Sequence, residues 1–194
     1  MYDIPTSITI DGKDYHIRND GDYRMVLDCF LALEDAELDN KERLFSSLII
    51  FYEDLNSIED VLSLDNLTAF VTEMYNFFNC GQKESPGARS NYRLIDWDAD
   101  AQLICSAVNK VAGKEIRLEK YIHWWTFLGY YGAVGESTLS TVITIRDKIT
   151  RHKSLEKYEK EFKRNNPQFF NWNSDSLERQ EANKLALDLW NSEG

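Results

Sequence analysis

The sequence has few of the residues that build loops, form disulfide frameworks or hold metal ions. Three prolines and nine glycines are spread over 194 residues, too few for a fold made mainly of loops. The cysteines, Cys29, Cys80 and Cys105, are odd in number and widely spaced, which fits neither a disulfide framework nor a zinc site. We therefore expect small buried thiols in a reducing cytoplasm.

Long apolar runs are also missing. No stretch approaches the roughly 20 apolar residues that a membrane-spanning helix requires. Met1–Ile10 has neither the basic start nor the apolar run of a signal peptide. We expect the chain to stay in the cytoplasm where it is made and to make no membrane contact.

The sequence contains no recognisable catalytic signature. It has no P-loop, no Gly-rich dinucleotide turn and no nucleophile elbow. The three histidines, His16, His123 and His152, lie far apart. His123 is best explained as a core or interface histidine with one satisfied hydrogen bond. We expect no enzymatic activity and no cofactor.

Asp96, Asp98 and Asp100 have the spacing that opens a calcium-binding loop. The mid-loop glycine and the terminal glutamate of such a loop are absent, and Trp97 and Ala99 fit a helical pattern. An N-cap at Asp96, with the other two carboxylates near the positive helix end, explains the spacing better. We expect no metal site here.

Negative charge is plentiful and confined to one part of the chain. The formal net charge is −11. Residues 1–80 carry 17 acidic and 5 basic side chains, a net charge of −12, whereas residues 81–194 carry 16 and 17, a net charge of +1. Such a surface repels phosphate backbones, so nucleic-acid binding is disfavoured. A solvated face is the commoner explanation of the charge, and an acidic docking face is the alternative.

Near the amino terminus, alternating β-formers predict a hairpin. Thr6–Ile10 and Tyr15–Ile17 have the pattern of strands, and Asp11 and Gly12 between them suit a tight primed turn. The rest of the chain has helical patterns. We predict a mainly α fold, a helical domain with a short N-terminal β-hairpin.

Helical periodicity and capping residues predict nine helices after the hairpin. The predicted spans are Tyr23–Asp35, Lys41–Tyr52, Ser57–Leu62, Asn66–Asn79, Trp97–Val111, Leu118–Tyr131, Thr138–Thr150, Ser154–Arg164 and Ser176–Asn191. The predicted N-caps lie at Asp20–Asp22, Asn40, Ser57, Asp65, Asp96 and Ser137, and Gly113 is a predicted stop.

Charge and turn residues divide the chain into four predicted regions. Residues 1–80 form an acidic subdomain of hairpin and helices, and residues 81–91, with two glycines and a proline, form a flexible connection. Residues 92–165 form an aromatic-rich helical subdomain. Residues 166–194 contain a C-terminal amphipathic helix.

The helix predicted over Ser154–Arg164 has only a thin apolar stripe. Glu156 with Lys160, and Glu159 with Lys163, are spaced as i,i+4 ion pairs in the favourable orientation. We therefore predict a helix on the protein surface.

Two helices are candidates for contact with another protein. The helix predicted over Leu118–Tyr131 is apolar on nearly every side, as in a core helix or one that a partner partly covers. Core burial is the commoner use, although Trp and Tyr are enriched at interfaces. The last helix also has an apolar face. The candidate interaction residues are Trp124, Trp125, Tyr130, Tyr131, Leu185, Leu189 and Trp190.

Several segments carry a resemblance to a known family. They are Leu94–Trp97, Leu103–Gly113, Tyr121–Tyr131, Ile145–Lys148 and Leu155–Phe162. On these segments the chain resembles the bacteriophage gene-product-15 family, found in long-tailed phages and prophages of Gram-positive bacteria. The likeness extends over residues 5–165.

The resemblance implies a function in tail assembly. Genes of this family lie between those of the major tail protein and the tape-measure protein, a position typical of tail assembly chaperones. We expect a chaperone in the host bacterial cytoplasm that binds the tape-measure protein and keeps it soluble before the tail tube polymerises. The tail-tube protein and further copies of the chain are additional candidate partners. The family offers no catalytic residues, and positions such as Asp96, Trp97, Trp124, Trp125 and Arg146 are candidate structural landmarks.

Two other functions are open alternatives. A structural component of the tail, such as a tube or connector subunit, would be retained in the virion. An acidic mimic of DNA is less well supported, because it requires negative charge over the whole surface and the excess is confined to residues 1–80.

Overall fold

The computed structural model describes residues 3–82 and 94–171. The predicted fold class is confirmed, because a two-stranded antiparallel hairpin precedes eight α-helices within these residues. The elements are β1 (Ser7–Ile10), β2 (Lys13–His16), α1 (Tyr23–Glu34), α2 (Asn40–Phe51), α3 (Ile58–Leu62), α4 (Leu67–Phe78), α5 (Ala101–Ala112), α6 (Trp124–Gly132), α7 (Thr138–Thr150) and α8 (Lys157–Asn165). Short 3-10 turns cover Arg18–Gly21, Ile116–Leu118 and Pro167–Phe170. Most of the predicted connection 81–91 and the predicted last helix lie outside the described residues.

The hairpin forms as its turn residues predict. Asp11 and Gly12 both have positive φ angles, 51° and 80°, as a type I′ turn requires. The register pairs Ser7 with His16. An isolated two-stranded ribbon is marginally stable, and here the ring of Tyr15 packs edge-on against Phe70 of α4, with centroids 4.6 Å apart.

The described residues form two compact units. The first unit contains residues 3–82 and 121–127, and the second contains residues 94–120 and 128–171. Helix α6 therefore begins in the first unit and ends in the second. Residues 121–127, predicted as part of the aromatic-rich subdomain, belong to the unit that holds the acidic segment.

The first unit has an aromatic core beneath α1, α2 and α4. Tyr52 is fully buried, and its hydroxyl donates to the carbonyl oxygen of Phe70 at 2.9 Å. Cys29 is buried as predicted, and burial raises the pKa of its thiol. Cys80 is only half-buried. The other large buried rings of this unit are Tyr23, Phe45, Phe51, Phe70, Phe77, Phe78, Trp124 and Phe127.

The second unit has an aliphatic core between α5 and α7. Gly113 ends α5 with a φ of 69°, and a reciprocal capping box of Ser137 and Ser140 opens α7. Both features agree with the predicted stop and start. The buried apolar residues of this unit are Ile104, Ala107, Val108, Ile116, Leu139, Val142 and Ile145.

Two predicted N-caps are wrong by one residue. Helix α2 is capped by Asp39, whose carboxylate accepts from the backbone N–H of Glu42 at 2.8 Å while the Glu42 side chain accepts from Asp39. This reciprocal box satisfies two helix-end donors, whereas a cap at Asn40 lacks the matching glutamate. Helix α4 is capped by Asn66, whose side chain accepts from Ala69 at 3.2 Å.

Two helices begin four or more residues later than predicted. Asp96 closes a separate turn by accepting from the backbone N–H of Asp98 and of Ala99, so α5 begins only at Ala101. Residues 116–118 form a 3-10 turn and the following residues are extended, so α6 begins at Trp124.

The predicted i,i+4 pairs on α8 do not form. Glu159 is buried, and its carboxylate accepts from Lys148 Nζ of α7 at 2.6 Å and from the backbone N–H of Glu156 at 2.7 Å. The hydrogen bond from Lys148 holds the pKa of Glu159 below its usual value. Glu159, which was predicted to lie on the surface, therefore forms an ion pair that connects α8 to α7.

Candidate protein-interaction surfaces

The two tryptophans that open α6 cap the end of α4. The indole Nε1 of Trp124 donates to the carbonyl oxygen of Phe78, and that of Trp125 donates to Phe77, both at 2.9 Å. Carbonyls in the last turn of a helix lack the usual partner within the helix, so both indoles supply donors at this end. The Phe77 carbonyl also accepts from the backbone N–H of Cys80 at 3.0 Å. Trp124 is 1% exposed, whereas Trp125 is half-buried.

This placement corrects the predicted interaction set at one position. Trp124 stacks on Phe127 with ring centroids 5.6 Å apart, deep in the first unit. Its side chain presents no surface that a partner can reach in this structure, because the C-terminal turn of α4 covers it. Trp124 is a core residue.

His123 fixes the start of α6. Its Nδ1 accepts from the backbone N–H of Trp125 at 3.0 Å, and its Nε2 lies 3.1 Å from the carbonyl oxygen of Pro5. This arrangement requires a neutral ring with the proton on Nε2. Burial lowers the pKa of His123, although its bond to Pro5 and the charge of Asp22 oppose that shift. The ring is thus a satisfied core histidine.

The segment before His123 is fixed to the residues that precede α1. The carboxylate of Asp22 accepts from the backbone N–H of Ile122, and the Ile122 carbonyl accepts from Tyr23, both at 2.9 Å. Gly21 has a φ of 77°, and an added Cβ would lie 2.7 Å from a ring carbon of Phe77. Only glycine fits this close approach, which holds His123 and the tryptophans in place.

The other predicted interaction residues keep some accessible surface or lie outside the described residues. Tyr130 and Tyr131 belong to the second unit and are half-buried. Tyr131 lies 5.6 Å from Trp97 between ring centroids, and burial raises its pKa to about 12. Leu185, Leu189 and Trp190 lie outside the described residues. Contact of this set with a partner stays a prediction.

Other large apolar side chains are exposed at positions that were not among the predicted interaction residues. Leu118 is the most exposed of them at 83%. The sequence predicted that Leu118 opens the apolar helix. In the structure a 3-10 turn takes the place of that part of the helix, and it directs the Leu118 side chain outward. The exposed large apolar residues of the described part are Ile4, Leu31, Ile58, Leu62, Val111, Leu118, Tyr121 and Tyr158.

The turn that carries Leu118 is held by a polar network. Asn109 of α5 accepts from the backbone N–H of Ile116 at 2.8 Å and donates to Glu115 at 2.8 Å. Glu115 also bonds the guanidinium of Arg117, which lowers the pKa of this carboxyl to about 2. Ile116 is fully buried, so it anchors the turn while Leu118 points outward.

The second unit also has a groove of about 550 Å³. Helix α8 and the 3-10 turn Pro167–Phe170 supply most of its walls. Its lining combines apolar and cationic side chains, and the residues are Leu155, Lys160, Lys163, Arg164, Pro167, Phe170 and Asn171.

Arg146 is the polar centre of the second unit. It is 2% exposed, and its guanidinium donates twice to the carboxylate of Asp100, with Nη2 and Oδ1 3.0 Å apart. It also donates to the carbonyl oxygens of Leu94 at 3.0 Å and Phe169 at 2.9 Å. Arg146 thereby ties α7 to the start of α5 and to the last 3-10 turn, and Asp100, one of the three aspartates with calcium-loop spacing, is its ion-pair partner.

Two kinds of feature, a metal-ion cluster and a membrane-spanning helix, are not found in the described residues. Residues 3–82 and 94–171 contain no group of three or more His, Cys, Asp or Glu side chains placed to hold a metal ion. No helix within the same ranges is long and apolar enough to cross a membrane.

The fold and these surfaces define a mainly α-helical protein with exposed apolar side chains on both units. Comparison with known families identifies it further. The chain belongs to the family described as Bacteriophage Gp15 protein, whose model matches residues 1–169. This confirms the resemblance found in the sequence and supports a phage structural or assembly protein. No curated protein and no solved structure matches the chain.

Proposed function

We propose that this protein is a phage tail assembly chaperone that binds the tape-measure protein and keeps it soluble before the tail tube polymerises around it. Family membership supports the broader class of phage structural or assembly proteins. The observation that carries the finer proposal is the exposure of Leu118 on a turn that hydrogen bonds hold in place.

An exposed leucine on a held turn is suited to bind a partner. Leu118 and the exposed Val111 at the end of α5 belong to the same unit, where the turn packs on α5. Because the turn is ordered before binding, little further conformational entropy is lost when a partner covers these side chains. Single exposed apolar residues are common on proteins, so exposure alone would not indicate a binding surface. The feature that sets Leu118 apart is the hydrogen-bonded turn that holds it in position.

A chaperone for a tape-measure protein needs weak contacts and a repulsive exterior. We expect the tape-measure protein to be a long, apolar helical chain, so many copies of this protein can bind along it and each contact can stay weak. The net charge of −12 on residues 1–80 then keeps the coated chains apart. We propose that this function involves binding alone, without catalysis.

Co-expression with the tape-measure protein of the same phage tests the proposal. We expect the chain to raise the soluble fraction of the tape-measure protein and to co-purify with it. The double variant Val111→Asp/Leu118→Asp should lose most of both effects, since it places charge on the proposed contact.

The matched control is Leu31→Asp, which makes the same change at an exposed apolar position of the first unit. Control and wild type should behave alike. An insoluble tape-measure fraction that is unchanged by the wild-type chain, with none of the chain bound, contradicts the proposal. If the Val111→Asp/Leu118→Asp variant binds and solubilises the tape-measure protein like the wild type, these two residues do not form the contact. The variant Leu185→Asp/Leu189→Asp would then test the last predicted helix.

A further inference from the structure

The groove of the second unit carries positive charge that its own helix does not neutralise. Glu159, which could have paired with Lys163, is instead bonded to Lys148. Within residues 3–82 and 94–171, the side chains of Lys160 and Lys163 make no hydrogen bond or ion pair. Among the same residues, Arg164 forms an ion pair only with Glu161, at 3.9 Å, and both side chains are well exposed. A groove lined by apolar side chains, by two lysines unpaired within these residues and by one weakly paired arginine suits an acidic apolar surface.

The first unit presents a surface of the opposite character on α3. Ile58 and Leu62 are four residues apart on this helix and are each 49% exposed. The exposed Glu59 lies between them in sequence, and its side chain makes no hydrogen bond or ion pair in the described part of the chain. We call these three residues the α3 face.

The sequence on both sides of the α3 face is acidic and lacks cations. Residues 44–82 contain no Lys, Arg or His, and they include six acidic side chains. Of the two acidic residues of α3, Asp60 is already hydrogen-bonded within its own chain, because its carboxylate accepts from the backbone N–H groups of Asn56 and Ser57. The α3 face is thus apolar at its centre and negative around it.

We propose that copies of this protein associate head to tail, with the α3 face of one copy seated in the groove of the next. The apolar side chains of Ile58 and Leu62 would contact Leu155, Pro167 and Phe170. The acidic surroundings would meet the three cations of the groove.

A second copy fits this groove because each copy supplies both complementary surfaces in equal number. A contact between two different patches is heterologous, so it leaves one free patch at each end and can extend into an open chain. The contact area is small, and exposed ion pairs are weak and screened by salt. Association should therefore depend on concentration and weaken as salt is added.

Sedimentation velocity of the purified full-length chain tests the proposal. We expect the mean mass to rise with concentration beyond that of a dimer at low salt, and to fall as salt is raised. The groove variant Lys160→Glu/Lys163→Glu should associate at least about tenfold more weakly than the wild type, because two attractive pairs become repulsive. The control Lys153→Glu/Lys157→Glu makes the same charge change at exposed positions outside the groove and should behave like the wild type.

A mixing experiment tests whether the contact is head to tail. The α3 variant Ile58→Ser/Leu62→Ser should be largely monomeric on its own at concentrations where the wild type associates, as should the groove variant. Mixed in equal amounts, they should form a 1:1 dimer that does not grow, because the groove variant keeps its α3 face and the α3 variant keeps its groove. Growth beyond a dimer in this mixture would contradict the proposed pairing.

Several results would overturn the proposal. They are a wild-type chain that stays monomeric at its highest soluble concentration, a groove variant that associates like the wild type, association that strengthens with salt, and a mixture that forms no dimer. Circular dichroism checks that each variant folds, and Lys163→Ala/Arg164→Ala replaces the groove variant if that one does not. Since these measurements contain no tape-measure protein, their failure would leave the proposed function standing.

Discussion

The two units of this protein bury different kinds of interaction. The first unit is held mainly by stacked and edge-on aromatic rings and by neutral hydrogen bonds, such as those of Trp124 and His123. Its buried carboxylate, Asp22, pairs with an arginine, Arg24, that is itself partly exposed. The second unit is held around buried charges, in which Arg146 pairs with Asp100 and Lys148 with Glu159. Removing one partner of a neutral hydrogen bond costs less stability than removing one partner of a buried ion pair, which leaves a buried charge unpaired. Loss of a partner should therefore destabilise the second unit more than the first.

The largest expected effect is that of Arg146→Met in the second unit. It leaves the carboxylate of Asp100 buried without its partner, which should lower the free energy of unfolding by about 3–5 kcal/mol. Hydrogen exchange measured along the chain should show lost protection in α5 and α7. The double variant Arg146→Met/Asp100→Leu should recover much of the loss, and equal exchange in the single and double variants would contradict the buried pair.

Gly21→Ala should have the next largest effect, on the first unit. The new Cβ would lie 2.7 Å from Phe77 at a positive φ angle, and strain with overpacking should lower the free energy of unfolding by about 2–4 kcal/mol. Denaturant unfolding measures the loss. Gly113→Ala is the matched control, because it has a similar φ and no atom within 4 Å of the added Cβ; an equal loss at both sites would show that the close approach to Phe77 contributes nothing.

Trp124→Phe gives a smaller test of the neutral core. It keeps an aromatic ring but removes the donor to the Phe78 carbonyl, which should lower the free energy of unfolding by about 1–2 kcal/mol. The same measurement on Trp125→Phe, where the side chain is half-buried, should give a smaller loss. A larger loss at Trp125 would reverse the assignment of Trp124 as the core residue.

Local features of the fold were predictable from the sequence. The Asp11-Gly12 turn, the capping box of Ser57 and the stop at Gly113 are set by side chains and backbone within four residues of one another. The start of α6 was missed because its cap is a histidine held by Pro5, 118 residues away in the sequence. Glu159 was misassigned because Lys148, on another helix, bonds it in preference to Lys163.

The interaction surfaces were less predictable than the fold. The sequence pattern indicates that Trp124 and Trp125 are important, but their exposure depends on where α4 ends, 46 to 48 residues earlier. Leu118 appeared to belong to an apolar helix, and only the 3-10 turn at Ile116–Leu118 places it in solvent. Side-chain exposure depends on such distant contacts, which periodicity does not describe.

The smallest expected effect is a pH response that separates the units. The folded pKa of His123 is below its ordinary value of 6.5, so the unfolded chain takes up a proton first and stability of the first unit falls as pH drops below about 6.5. The folded pKa of Glu159 is below 4.5, so its contribution in the second unit is lost only at lower pH.

Hydrogen exchange between pH 7 and pH 5, corrected for the intrinsic rate, measures this difference. Residues of α1 and α4 should lose protection before those of α7 and α8. Replacement of the exposed His16 by Gln should leave the difference unchanged. Simultaneous loss in both units would show that His123 does not contribute.

Quantitative mass spectrometry of tail intermediates and finished phage particles tests the central claim most directly. We predict that the chain is bound to the tape-measure protein in cells infected with a phage that lacks its tail-tube protein. We also predict that the chain is absent from purified complete particles, because the tube displaces it. A fixed number of copies in every complete particle would contradict the chaperone function and identify a structural component of the tail.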